Sequence, residues 1–199
     1  MLSVLAMRLQ AVVENEPGEK GIPISQQVIG VLNANRKAFR FLVIFALTFG
    51  ACYFVFGVVP GVRHNLIQPY THFLASAVAA VINVFGAGAT TLGSQVVSER
   101  FSINIAMGCD AVEASSLFLA GVLAYPTSWR ARLIGFAFGI PLIHVINLAR
   151  LVGLYYAGVY LPSVVEELHV YVAQTIVILL STAILILWLD RFAVQHRQS

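Results

Sequence analysis

The sequence predicts an all-α polytopic membrane protein: about four transmembrane helices, an outer interfacial or re-entrant helix, and a short β-hairpin. Three observations predict it. Of the 199 residues, 59% are hydrophobic and 11% charged, whereas soluble domains carry roughly 25% charged residues. Several apolar runs approach the roughly 20 residues that a spanning helix needs. The basic residues gather at the ends of those runs, where they report orientation.

Taken in order, residues 1–35 read as a cytoplasmic arm. Its first 13 residues are apolar but interrupted by Arg8 and followed by Glu14, Glu16 and Glu19. With no basic region at its start, this is not the pattern of a cleaved signal peptide. Pro17, Gly18, Gly21 and Pro23 break the arm. Residues 36–190 form the membrane domain, and residues 191–199 a cytoplasmic tail. Within the domain, segments 41–59, 133–156 and 169–189 have the length and polarity of spans. Segment 112–125 is shorter and reaches a spanning length only by starting near Asp110 and running to Trp129. Segment 69–85 is alanine-rich and carries His72, Ser76 and Asn83. Between them, Phe101, Ile103 and Ile105 alternate with Ser102, Asn104 and Ala106, the period of a strand. Gly86, Gly88 and Gly93 come before it, which predicts a hairpin leading to Cys109.

Direction follows from the cations. Arg36, Lys37 and Arg40 precede the first span, Arg130 and Arg132 precede 133–156, and Arg191 and Arg197 follow the last. All three clusters fall on the cytoplasmic side if 41–59 runs outward, 112–125 inward, 133–156 outward and 169–189 inward. Segment 69–85 then lies on the outer side without crossing.

Composition also excludes functions. Two cysteines, Cys52 and Cys109, make no disulfide framework. No Cys-x-x-Cys or His-x-x-x-His spacing suggests zinc, and no other cofactor is implied. The arginines flank apolar segments and build no nucleic-acid face.

With 1.5 Å rise per residue as a ruler, Arg150 lies roughly 27 Å above Arg132. His169 lies on the order of 30 Å above Asp190, and Cys109 about 30 Å from Arg130. The topology thus brings a thiol, a guanidinium and an imidazole to one outer boundary. A thiol at a helix N-terminus is favoured as thiolate, an imidazole serves as acid and base, and an arginine binds an oxyanion or a substrate carboxylate. Each residue also has an ordinary reading. A cysteine in a membrane helix packs as a small hydrophobe, which is how Cys52 reads. Arg150 at an interface can snorkel, and His169 after Glu166 and Glu167 can be a plain interfacial residue. Arg150 nonetheless follows Asn147 by one turn inside an apolar helix, where a charge marks a functional candidate. Glu113, four residues after Cys109, shares its helix face. It would pair with Arg150, orient His169, or simply favour the helix dipole. Asp110 reads as a cap or first-turn residue. His144, one turn before Asn147, reads as a satisfied polar residue between helices. Gly135-x-x-x-Gly139 suits close helix packing.

The order of Cys109, then Asn147-Leu148-Ala149-Arg150, then His169 resembles the exosortase/archaeosortase family over roughly residues 65–190, and the short chain looks like its compact exosortase H-like branch. Cys109-Asp110-Ala111 departs from the small polar residue and glycine that follow the cysteine in many members. The resemblance implies a bacterial inner-membrane cysteine transpeptidase working at the outer face, on proteins that end in a motif, a transmembrane helix and a basic tail. Cys109 would be the nucleophile, Arg150 the oxyanion or substrate-orienting group and His169 the acid/base, supported by Asn147, Glu113 and Asp110. The acceptor of the cleaved chain is not encoded in any feature of the sequence. A non-enzymatic adaptor that binds a partner helix is the alternative. A small transporter would string polar residues through the membrane and carry an internal repeat, and neither occurs here.

Overall fold

A computed structural model describes residues 35–106, 108–163, 165 and 174–193. The N-terminal arm (apart from Asn35), most of the C-terminal tail, and His169 with Glu166 and Glu167 lie outside the described residues. The chain divides into Met1–Arg40 and Phe41–Ser199, and every described element beyond the first turn of the leading helix belongs to the second unit.

That leading helix, α1 (Arg36–Gly57), has no buried residue. An apolar helix that buries none of its residues against the described chain is suited to lipid. Pro60–Val62 and a π-helical turn, Arg63–Ile67, lead into α2 (Gln68–Val84). One face of α2, formed by Leu74, Ala75, Val78, Ala79 and Ile82, is buried at a spacing of three and four residues, while Phe73 and Val84 on the other face are exposed.

The Asn83 side chain, in the last turn of this helix, starts the sheet. Its amide donates to Ala89 O at 2.8 Å and its carbonyl accepts from Ala89 N at 2.7 Å, in the manner of a strand partner. The hairpin expected from the sequence is a three-stranded antiparallel sheet in the order β1 (Thr90–Leu92), β2 (Gln95–Val97), β3 (Ser102–Asn104). Gly93 takes φ +62° in the two-residue loop between Leu92 and Gln95, a backbone that glycine adopts without penalty. Phe101, Ile103 and Ile105 turn toward the core beside α2. The ring of Phe101 sits where a Cβ on Gly158 would be, 2.2 Å from its nearest atom.

Helix α3 (Val112–Ala124) is shorter than the sequence reading required. Tyr125 is extended, with ψ 130°, because Pro126 disfavours helical backbone in the residue before it. Ala111 at the other end is left-handed, with φ +62°. The helix therefore cannot run from Asp110 to Trp129. Its 13 residues cover about 20 Å of a hydrocarbon core about 30 Å thick.

Ser128 then caps α4 (Trp129–Ile134), accepting from Ala131 N. Helix α4 continues through a π-helical turn, Gly135–Gly139, into α5 (Ile140–Tyr160). Close packing holds this long helix against its neighbours. A Cβ on Gly139 would lie 2.2 Å from the Phe118 ring, and one on Gly135 would lie 2.8 Å from Trp188 Nε1. Trp188 in turn donates to Ala131 O at 2.8 Å. The last described helix, α6 (Gln174–Trp188), extends into a π-helical turn, Leu189–Ala193.

The described chain is thus mostly helical, with a small three-stranded sheet. Three helical stretches are long and apolar enough to cross a membrane: Arg36–Gly57, Trp129–Tyr160 and Gln174–Phe192. Their exposed surface carries large apolar side chains such as Leu47, Phe138, Val145, Leu179 and Leu187, as lipid-facing helices do. The buried side chains form two clusters. One joins α2, the sheet, Cys109, Leu151 and Tyr155. The other joins Ala111, Phe118, Ile143, Val177 and Trp188. Cys109 and Ala111 belong to different clusters, so the turn between them bridges the two cores.

Candidate active site

That turn is built from unusual backbone. Gly108 takes φ +88° and Ala111 φ +62°, and left-handed geometry costs a residue with a Cβ roughly 1–2 kcal/mol. Such strain persists only where the surroundings over-determine it. Here Asp110 Oδ1 accepts from Val112 N at 3.1 Å, the capping role expected of it. Cys109 N donates to Ala106 O at 3.0 Å. The turn sets Cys109 three residues ahead of α3 and does not make it the helix's first residue.

Cys109 is 4% exposed and Asp110 1%. Burial pushes the Cys109 thiol above its ordinary value, opposed by the charge and hydrogen bond of Arg150. This reverses the thiolate expected from helix position alone, because desolvation penalises the charged form. Burial likewise raises the Asp110 carboxyl, against the hydrogen bond from Val112 N–H. Asp110 Oδ2 has no hydrogen-bond partner among the described residues.

Helix α5 delivers three polar side chains to this turn at spacings of three: His144, Asn147 and Arg150. Asn147 is fully buried. Its Nδ2 donates to Cys109 O at 2.9 Å and its Oδ1 accepts from Arg150 Nη1 at 3.1 Å. Arg150 Nη2 lies 4.0 Å from Cys109 Sγ. A single asparagine therefore fixes both the backbone of the cysteine and the guanidinium that faces its sulfur. Arg150 Nε has no partner among the described residues.

Glu113 does not pair with Arg150 among the described residues; its carboxylate accepts from Gln174 Nε2 at 3.4 Å. Together with Asp110, Ser116, Cys52 and Tyr53 it lines a small cavity beside α1. His144 is the satisfied interhelical residue that the sequence suggested, with partners the sequence did not identify: Tyr70 Oη lies 2.8 Å from Nδ1 and Ser115 Oγ 3.4 Å from Nε2. The Tyr70 hydroxyl also donates to Asp110 O at 3.1 Å. Tyr70, Ser115 and Gln174 escape a sequence reading because each is an ordinary polar residue on a separate helix. The one available signal was the stripe of His144, Asn147 and Arg150 on a single helix face. No group of three or more metal-ligating side chains occurs among the described residues.

The family described as Transmembrane exosortase (Exosortase_EpsH) matches residues 24–189. Comparison with curated proteins and with solved structures finds no match.

Proposed function

We propose, from the premise that the chain belongs to the transmembrane exosortase family, that it is a membrane cysteine transpeptidase acting on the C-terminal sorting signals of exported proteins. The observation that carries this reading is the Arg150 guanidinium 4.0 Å from Cys109 Sγ, with Asn147 holding both.

The chemistry follows in two steps. Cys109 loses its proton to a base and its sulfur attacks the scissile carbonyl carbon. The carbonyl electrons move to oxygen, and Arg150 stabilises that oxyanion, a contribution of order 3 kcal/mol in comparable sites. On collapse the C–N bond breaks, the amine leaves with a proton, and a thioester to Cys109 remains. An acceptor nucleophile then attacks the thioester carbon, the C–S bond breaks, and the thiol is restored. His169 is our assignment for the base and acid. A thiol raised by burial makes such a base necessary at neutral pH.

We place the protein in the bacterial inner membrane, its cysteine turn at the outer face. Four crossings satisfy the cation clusters, with the short α3 and its Tyr125–Ser128 extension as the second. The Arg132 guanidinium, donating to Tyr125 O at 3.2 Å, satisfies one of the carbonyls freed where that helix ends.

The intermediate is directly testable. The full chain, incubated in membranes with a reporter ending in motif, apolar helix and basic tail, should form an adduct on Cys109 that neutral hydroxylamine releases. An adduct on another residue, or one that resists hydroxylamine, would overturn the thioester route.

A further inference from the structure

We propose that His144 is a positioning residue for the nucleophile, acting through Tyr70 on the backbone of the Cys109–Asp110 turn. The inference rests on reading Cys109 as the nucleophile. Three contacts run in series across three helices: Ser115 Oγ to His144 Nε2 at 3.4 Å, His144 Nδ1 to Tyr70 Oη at 2.8 Å, and Tyr70 Oη to Asp110 O at 3.1 Å. The chain has a direction. A backbone carbonyl only accepts, so the single Tyr70 proton goes to Asp110 O. Tyr70 Oη is then left to accept, and His144 must carry its proton on Nδ1. With the ring neutral, Nε2 accepts from the Ser115 hydroxyl.

The Tyr70 and His144 rings meet edge to face, with centroids 5.5 Å apart and planes at 70°. Helix α5 thus grips two successive carbonyls of the turn: Asn147 takes that of Cys109 directly, and His144 takes that of Asp110 through Tyr70. The second grip explains how Ala111, the next residue, is kept left-handed without being glycine. It also ties α2, the outer helix, to the reacting sulfur.

Two measurements on the full chain in lipid nanodiscs test this. Nitrogen NMR of histidine-labelled protein, with the His144 signal identified by its loss in His144→Asn, should show a protonated Nδ1; a bare Nδ1 overturns the relay. In reporter processing, Tyr70→Phe and His144→Gln should lower kcat about tenfold or more with KM unchanged, the scale of losing one buried hydrogen bond. Asparagine presents its N–H near the Nδ1 position, so His144→Asn should recover most of the rate lost in His144→Gln. Equal losses in the two variants, or a change confined to KM, would contradict the proposal. If the wild-type chain processes no reporter, the transpeptidase reading fails, and the Nδ1 proton still decides the relay.

Discussion

Arg150 faces a sulfur that burial has made a poor thiolate, and its guanidinium is the strongest of the influences favouring the charged form. Removing it takes away an attraction felt only by thiolate, so the thiol must titrate at still higher pH. In a Cys52→Ser background, where Cys109 is the remaining thiol, alkylation by iodoacetamide should rise with pH through a midpoint above that of a free cysteine. Arg150→Gln should shift the curve further up, so that alkylation at pH 8 is several-fold slower. A curve that does not move would mean that the guanidinium does not act on the sulfur. At this scale the sequence was legible in part. Asn147 and Arg150 stood out because polar residues are costly in apolar helices, and Cys109 because Asp110 and Glu113 stand beside it. The sense of the cysteine's shift did not, since position near a helix start was visible and burial was not.

Helix α3 meets the π-helical turn before α5 where Gly139 admits the Phe118 ring, which is fully buried. A methyl group at that position has nowhere to go unless the ring moves. Gly139→Ala should therefore destabilise the protein by about 1–3 kcal/mol, as overpacking does, and Phe118→Leu in the same chain should recover part of the loss. Thermal unfolding in detergent measures both; an additive loss in the double variant would show that the two sites do not share the contact. The glycine pair could be read from sequence because small residues at a spacing of four are an interface signal. The ends of α3 were harder. Its apolar run ignores Pro126, and its start depends on left-handed backbone at Ala111, a residue type that gives no hint of it. The sheet was half legible. The alternation of Phe101, Ile103 and Ile105 marked its third strand, at one edge, whereas the Asn83 clasp that founds it depends on a side chain that pairs with backbone six residues along the chain.

Across the whole molecule, the three long apolar stretches leave the direction of the chain to the short helix between the first two. If α3 and its extension cross, Arg130 and Arg132 lie inside and the cysteine turn outside, as positive-inside placement requires. Single cysteines placed in the Cys52→Ser, Cys109→Ser chain, one at Thr127 beside Arg130 and one at Gly88 before the sheet, distinguish the arrangements. A membrane-impermeant maleimide should label the Gly88 site in intact spheroplasts and the Thr127 site only after lysis. The reverse pattern would place the cysteine turn in the cytoplasm and remove access to exported substrates. Composition made the membrane class legible at once; a helix about 20 Å long is where the length signal of a crossing weakens.

Covalent chemistry by Cys109 on a sorting signal is the step on which the proposed function depends. The most direct measurement is processing of a reporter with such a tail in cells that carry the wild-type chain or Cys109→Ala, at matched membrane abundance, read as a mass shift on an immunoblot. A cleaved reporter is expected with the wild type, and full-length reporter alone with the variant. Cleavage that persists in Cys109→Ala would contradict the nucleophile assignment and leave the polar turn as a docking element of a non-enzymatic adaptor.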